Sequence, residues 1–191
     1  MLDLQRIRLH PGRSGGRVPE GRQELLFVVS GRGTLHLDRD EHALEPETAA
    51  LLLPGESYEI ETASELELVV VSAPSDRRVA RNRVTARLVD CEEQRADETR
   101  TFRVLFETDV TQFVGVVGPG RAPDHSHPYN EVGTILEGRG FAHIGGTSVR
   151  IGPGWCFHLS PGEMHCIENA GPGPMRILGV FHPAGSPSQR V

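Results

Sequence analysis

The sequence of 191 residues contains no lysine, so all 20 of its basic residues are arginine. Without a lysine amine, the chain can form no Schiff base with a carbonyl substrate and cannot build a lysine-dependent phosphate loop. A composition that uses arginine alone suggests a bacterium with a GC-rich genome. The net charge of -6 argues against nucleic acid as the main partner, because binding to phosphate backbones normally needs a clustered basic face.

Long apolar runs and cysteine pairs are also missing. Apolar runs are only a handful of residues long, such as Leu66–Val71, which Glu67 interrupts, and they are far shorter than the roughly 20 residues of a membrane span. The N-terminus has no signal-peptide pattern, so we expect a cytoplasmic protein with no membrane partner. Cys91, Cys156 and Cys166 are odd in number and widely spaced, which argues against a disulfide framework and a thiolate zinc site.

The sequence does contain an internal repeat. The segment that begins at Ser30 resembles the segment that begins at Glu137, at a spacing of 107 residues (137 minus 30). Pro54-Gly55-Glu56 recurs at the same spacing as Pro161-Gly162-Glu163, with no insertion between the two matches. Two matches at one spacing predict that the chain consists of two copies of one structural unit.

Each copy contains a series of strand-like segments. Runs such as Leu25–Val29 and Phe141–Ile144 lie between turn formers such as Gly33 and Pro54-Gly55. No segment keeps a helical period over more than a few turns. Many short strands between Gly and Pro turns predict an all-β fold of sandwiches or barrels. The expected organisation is a first domain at 1–75, a polar, arginine-rich linker at 76–84 and a second domain at 85–191.

The second copy holds a set of candidate metal ligands. His125 and His127 are two residues apart, so on an extended strand both imidazoles point to the same side and can reach one point. The next three residues curve the chain toward Glu131, and His165 follows the Pro161-Gly162 turn. Three imidazoles and one carboxylate suit Fe, Mn, Co, Ni, Zn or Cu and leave coordination positions open for water or substrate.

This arrangement resembles the two metal-binding motifs of the cupin superfamily. The part H-x-H-x3-E-x6-G fits without change from His125 to Gly138, whereas the glycine expected before it is displaced by one position. The second motif, G-x5-P-x-G-x2-H-x3-N, matches Gly154 to Asn169 with small shifts in the turn glycines. The resemblance covers both copies and implies a bicupin, built from two tandem jelly-roll (RmlC-like) β-barrels. It also implies one divalent transition metal ion per chain, with the protein ligands His125, His127, Glu131 and His165.

The first copy lacks these ligands. At the spacing of the repeat, Val18, Glu20 and Tyr58 stand where the second copy has its three histidines, and Glu24 corresponds to Glu131. A lone carboxylate cannot replace three nitrogen donors, so we expect a degenerate, metal-free first barrel. Tyr58 is expected to fill the space that an ion would otherwise occupy.

The resemblance implies a metalloenzyme that acts on a small polar organic substrate. A dioxygenase-type oxidoreductase is the first hypothesis, a metal-dependent lyase, isomerase or cyclase is the alternative, and a non-catalytic cupin that binds a small ligand is the third. In cupins with this ligand set, a carboxylate that leaves the metal can act as general base, and here that catalytic role would fall to Glu131. Tyr129, Phe157 and His143 are weaker candidates for the cavity wall, with packing as their more ordinary role. The first copy lacks equivalents of residues 87–106, which leaves a strand edge uncovered, so we expect a homodimer.

Overall fold

The structure is a computed structural model that describes residues 1–75 and 79–189. Within these ranges the regular elements are β-strands, with one 3₁₀ turn at Leu88–Asp90. The strands belong to two compact units, Met1–Cys91 and Glu92–Val191. The expected all-β fold class is confirmed. Among the described residues, no helix has the length and apolar character that a membrane crossing requires.

The first unit is built from two antiparallel sheets. Its described strands are β1 (Asp3–Leu9), β2 (Gly12–Arg17), β3 (Arg22–Ser30), β4 (Gly33–Leu37), β5 (Asp40–Leu44), β6 (Thr48–Leu52), β7 (Ser57–Thr62), β8 (Leu66–Pro74) and β9 (Thr85–Arg87). One sheet has the order β1-β8-β3-β6-β9, and the other has the order β2-β7-β4-β5.

The second unit is also built from two antiparallel sheets. Its described strands are β10 (Glu93–Arg95), β11 (Arg100–Glu107), β12 (Thr111–Val117), β13 (Gly120–Arg121), β14 (Asn130–Glu137), β15 (Gly140–Ile144), β16 (Thr147–Ile151), β17 (Cys156–Leu159), β18 (His165–Asn169) and β19 (Met175–His182). The sheet orders are β10-β11-β12-β19-β14-β17 and β13-β18-β15-β16.

The internal repeat is visible in the strand order and in the register. The order β12-β19-β14-β17 reproduces β1-β8-β3-β6, and β13-β18-β15-β16 reproduces β2-β7-β4-β5. Glu24 pairs with Leu52 across the first sheet, as Glu131 pairs with Leu159 in the second unit. Each unit is therefore a pair of sheets of the jelly-roll kind, in agreement with the tandem fold that the sequence predicts.

The repeated Pro-Gly-Glu turns have the same local structure in both units. Gly55 and Gly162 adopt φ values of 80° and 78°, a left-handed conformation that a side chain would strain. The carboxylates of Glu56 and Glu163 each accept a hydrogen bond from the amide three residues earlier, at 2.8 and 3.0 Å. In the second unit this turn ends directly before β18 and so sets the position of His165.

The boundary between the units differs from the expected one. Strand β9 pairs with β6, and the first unit extends to Cys91, so residues 85–91 lie with the first unit rather than at the start of the second. The physical reason is that the edge of β6 offers backbone groups that β9 can pair. The expected linker at 76–84 includes residues 76–78, which lie outside the described residues.

The interiors of the two units are filled differently. The first contains a buried aliphatic cluster, with Tyr58 packed against it. The second contains an aliphatic cluster around Ile135 and Met175 and a separate aromatic cluster of Phe102, Phe113, Tyr129 and Phe181. The rings of Phe113 and Phe181 lie 4.7 Å apart. The second unit therefore has a cluster of four aromatic side chains in its interior besides its aliphatic cluster.

Candidate metal centre

A narrow antiparallel bridge joins two of the candidate ligands through their backbones. The His125 amide donates to the His165 carbonyl at 3.0 Å, and the His165 amide donates back to the His125 carbonyl at 2.8 Å. The Gly162 amide donates to the His127 carbonyl at 2.8 Å. These bonds tie the H-x-H segment to the turn before β18, so three histidines from distant parts of the chain lie at one place.

The three imidazole rings converge. One ring nitrogen from each lies within 4.8 Å of the others. The ring centroids are 4.9 Å apart for His125 and His127, 4.4 Å for His125 and His165, and 5.2 Å for His127 and His165. All three residues are buried, with exposed fractions of 8%, 6% and 6% in chain order.

Backbone carbonyls fix the tautomer of each ring. Each Nδ1 lies within hydrogen-bond distance of a carbonyl oxygen, and a carbonyl can only accept, so each Nδ1 carries the proton. The acceptors are Pro123 at 2.9 Å for His125, Gln189 at 2.8 Å for His127 and Glu163 at 2.8 Å for His165. The Nε2 atom of each neutral ring is left with a lone pair, the form in which histidine binds a metal.

The electrostatics of the site also favour neutral imidazoles. Burial lowers the pKa of His125 and His165 below the ordinary value of 6.5 and lowers that of His127 to about 4. The rings are therefore uncharged at neutral pH without any metal, and proton release from them does not oppose metal binding.

Glu131 lies beside His127, outside the group of three ring nitrogens that all lie within 4.8 Å of one another. It is the second residue of β14, is 7% exposed, and its Oε2 atom lies 3.8 Å from Nε2 of His127. Burial raises its pKa to about 8, since a desolvated carboxylate favours its neutral form unless a cation is near. Three neutral nitrogen donors and one buried carboxylate fit a divalent transition metal by donor chemistry.

The four residues line one cavity of about 90 Å³. Most of its wall is apolar and includes the rings of Phe102, Phe113, Phe157 and Phe181. The polar side chains of the wall, besides the four candidate ligands, are Arg100 and Thr101. A cavity of this kind favours a ligand with an apolar body and few polar groups. The class of small polar substrates expected from the sequence is thereby restricted to compounds of this type.

The weaker candidates from the sequence have separate roles. Phe157 lines the cavity, as the sequence suggests. Tyr129 stacks on the His127 ring with centroids 5.1 Å apart and planes 13° apart, and its hydroxyl donates to the Ser186 carbonyl at 2.6 Å. His143 lies 2.9 Å from a carboxylate oxygen of Glu168 and does not line the cavity. Tyr129 therefore packs against the ring of His127, one of the candidate metal ligands.

Two features of the site were not found from the sequence. The carbonyl that orients His127 belongs to Gln189, near the end of the described chain. A backbone oxygen has no residue-type signal, so no motif could reveal it. Arg100 was also missed, because it lies outside the repeat and outside the metal motifs. Its sequence signal, a lone arginine at the start of a strand-like run, is common on protein surfaces.

The register corrects the expected counterparts in the first unit. Tyr58 is the counterpart of His165. Because Gly16 pairs with Tyr58 and His125 pairs with His165, the counterpart of His125 is Gly16 and not Val18. The Gly55 amide donates to the Val18 carbonyl at 3.0 Å, as Gly162 donates to His127, so Val18 replaces Glu20 as the counterpart of His127. The constant spacing fails here because Glu24 follows Val18 by six residues whereas Glu131 follows His127 by four, so the first unit has two extra residues at this point.

The Tyr58 side chain occupies the space above Gly16. A Cβ atom added at Gly16 would lie 3.1 to 3.3 Å from the Tyr58 ring and hydroxyl. The hydroxyl donates to Glu24 Oε2 at 3.1 Å. Tyr58 therefore reaches from the position of His165 to the position of Glu131, as expected for a side chain that fills the place of an ion.

Comparison with known proteins agrees with the fold. Residues 113–181 match the family model of the cupin domain, so the second unit contains a cupin domain. The family match does not extend to the first unit, whose likeness to the second rests on its strand order and register. No protein of curated function matches the chain by sequence.

Several solved structures have the same fold. AerE from Microcystis aeruginosa superposes with a TM-score of 0.80 at 11% identity, over 95% of this chain and 87% of its own. A Pseudomonas aeruginosa protein named for its induction by glyoxylate gives 0.79 at 19% identity, over 100% and 74%. Bacillus subtilis oxalate decarboxylase, a protein with Mn(II) centres, gives 0.77 at 13% identity, over 100% and 70%.

Proposed function

We propose that this chain is a mononuclear metalloenzyme that acts on a small organic substrate in the cavity of its second unit. The observation that supports this most directly is the convergence of three neutral imidazoles beside a buried carboxylate, at the wall of an otherwise apolar cavity. The proposed ligands are His125, His127, Glu131 and His165. The likeness to a manganese-containing decarboxylase is in accord with a metal role but does not fix the metal.

The chain's own residues prepare the site in three ways. The carbonyl acceptors hold the rings in one tautomer and one orientation, so little ordering remains when an ion binds. The mostly apolar wall lowers the local dielectric constant, which strengthens electrostatic interactions inside the cavity. A bound metal would supply a Lewis acid and an open coordination position. Glu131 is a buried carboxylate in the cavity wall, and a carboxylate that leaves the metal could accept a proton there.

The first hypothesis for the reaction is a dioxygenase-type oxidation. It is supported by a ligand set that suits redox-active iron, manganese, nickel or copper and by a mostly apolar cavity wall. An oxygen electrode tests it directly, with protein loaded separately with Fe(II), Mn(II) and Ni(II) and supplied with a panel of small carboxylic acids and phenols. Oxygen uptake that requires both the metal and a panel compound is expected.

The second hypothesis is a lyase, isomerase or cyclase in which Glu131 moves a proton. The observation in its favour is the position of Glu131, a buried carboxylate in the wall of the cavity that could accept a substrate proton when it is not bound to the metal. In the same assays, product formation without oxygen uptake would select this hypothesis over the first. Tight binding without any conversion would instead indicate a non-catalytic ligand-binding role.

The matched control for these assays is a histidine outside the site. His158 is an exposed residue of β17, so His158→Ala is expected to keep the metal and the activity of the wild type. His165→Ala removes a proposed ligand and is expected to lose both. The metal-free first unit, the homodimer and the cytoplasmic location remain predictions for this protein.

A further inference from the structure

Arg100 places a positive charge in the wall of the candidate active-site cavity. It begins β11 and pairs with Val117 of β12. Directly paired residues of antiparallel strands project to the same face of the sheet, and both residues line the cavity. The Arg100 side chain is 12% exposed, so most of its length lies inside the second unit.

The guanidinium of Arg100 is only partly paired. Its Nε atom donates to Oδ2 of Asp97 at 2.8 Å. Its Nη2 atom is buried and has no hydrogen-bond partner among the described residues. Leaving a buried charged donor without an acceptor is unfavourable, so a ligand oxygen is a suitable partner for this atom.

Asp97 holds the guanidinium in place. Its Oδ1 atom accepts hydrogen bonds from the Thr99 amide at 2.9 Å and the Thr99 hydroxyl at 3.1 Å, while its Oδ2 atom accepts from Arg100. Burial dominates and lowers the pKa of His125, but Asp97 is close enough to oppose that effect. The ion pair of Asp97 and Arg100 therefore lies within electrostatic reach of His125.

The remaining wall defines the body of the ligand. Four phenylalanine rings line the cavity, and among the described residues of its wall Arg100 is the one with a permanent positive charge. A phosphate offers several acceptor oxygens and would need several donors, whereas the one unpartnered nitrogen of Arg100 suits a carboxylate, which can accept a single hydrogen bond. The aromatic wall favours an apolar, flat group attached to that carboxylate.

We propose that the cavity binds a small monocarboxylate with an apolar or aromatic body, and that its carboxylate accepts a hydrogen bond from Nη2 of Arg100. This inference deepens the proposed function and rests on it only for the claim that the bound acid is the substrate. Arg100 is then the residue that selects an anion, and the phenylalanine rings contact the body of the acid.

Calorimetric titration with benzoate and with its neutral isostere benzamide tests this inference at pH 7. The protein is used as the full chain, both chelator-treated and Mn(II)-loaded. In the chelator-treated protein, benzoate is expected to bind about tenfold or more tightly than benzamide, because only the anion gains a charge-assisted hydrogen bond. This comparison uses the wild type alone and does not depend on whether a variant folds.

Variants of Arg100 supply the second measurement. Arg100→Gln is expected to weaken benzoate binding by about 10- to 100-fold and to leave benzamide binding and metal content unchanged. Arg100→Lys keeps a positive charge beside Asp97 and is expected to show a smaller loss. The control is Arg103→Gln on the same strand, where Arg103 lies 3.7 Å from Glu93 and does not line the cavity. It should behave as the wild type.

The outcomes separate this inference from the proposed function. Equal binding of benzoate and benzamide, or unchanged benzoate affinity in folded Arg100→Gln, would overturn the inference even if metal binds and turnover is found. An Arg100-dependent preference for benzoate in a protein that binds no metal would support the carboxylate site and refute the proposed metalloenzyme.

Discussion

Replacement of Tyr58 by phenylalanine tests whether the first unit serves only as a scaffold. Tyr58 lies over Gly16, at the position that matches His165 in the second unit, and donates to Glu24 at 3.1 Å. In Tyr58→Phe the ring still fills the space, but Glu24 loses its hydrogen-bond donor. If the pair only packs the interior of the first unit, the change should affect stability and leave metal content and turnover as in the wild type.

The size of the stability loss follows from the contact. Burial raises the pKa of Glu24, and the Tyr58 hydrogen bond opposes that effect. Removing a donor from a partly buried carboxyl group should cost about 1–2 kcal/mol. For a domain of this size, each kcal/mol lowers the melting temperature by roughly 4–8 °C. Thermal and urea unfolding, followed by circular dichroism, are the measurements.

Glu24→Gln gives the complementary result and a pH dependence. The folded carboxyl group has a pKa above its ordinary value of 4.5, so above pH 4.5 the folded state holds a proton that the unfolded state has released. Stability of the wild type should therefore fall as pH rises from 4.5 through the raised folded pKa of Glu24. Glu24→Gln removes this titration. The melting temperature of the variant minus that of the wild type should therefore increase with pH over the same range.

Exposed Glu59, the residue after Tyr58, provides a control, since Glu59→Gln removes a carboxylate without breaking the Tyr58 hydrogen bond. The scaffold interpretation fails if Tyr58→Phe keeps its fold and its metal but loses a large part of the turnover. That result would indicate that the first unit binds a small regulator, with Glu24 and Tyr58 as its polar contacts.

Three further predictions concern the metal, the assembly and the packing of the first unit. Elemental analysis should give about one metal ion per chain, and His127→Ala or His165→Ala should weaken binding by more than the roughly 10–100-fold effect of losing an outer partner; two specific ions, or unchanged affinity in either variant, would contradict the assignment. Light scattering at micromolar concentration should give a dimer, because β1 forms an edge of its sheet whereas its counterpart β12 is covered by β11; a monomer would refute this. Gly16→Ala should lower stability by about 1 kcal/mol, because its Cβ would meet the Tyr58 ring at 3.2 Å; unchanged urea unfolding would show that the ring can move aside at no cost.

The fold class and the candidate ligands could be predicted because they depend on local patterns. Short apolar runs between Gly and Pro turns specify strands wherever they occur, and the alternation of side chains along a strand places His125 and His127 on one side. The repeated turns at Gly55 and Gly162 need left-handed glycines, so they are recognisable in the sequence and preserve the spacing between the copies. These features need no knowledge of distant contacts.

The counterparts of the ligands in the first unit could not be obtained in the same way. A constant spacing identified Glu24 and Tyr58 correctly, because no insertion separates them from the matched turns. It misplaced the counterparts of His125 and His127 by two residues, because an insertion shifts the register there. A shift of two residues leaves a side chain on the same side of the strand, so the alternation of side chains does not reveal the error. Only the hydrogen bonds to Tyr58 and from Gly55 show that Gly16 and Val18 are the true counterparts.

The sequence by itself determined the residue types of the candidate centre, the repeat and the all-β class, since each is written in local spacing. Only the tertiary structure decided which groups surround that centre. The Gln189 carbonyl orients His127 from 62 residues away, and Arg100 reaches the cavity from a strand outside the repeat. Such contacts depend on how loops and strand edges pack. Neither a backbone carbonyl nor a single arginine forms a sequence pattern from which the contact could be predicted. The same packing removes water from Glu131 and raises its pKa to about 8, a property of the cavity and not of the residue.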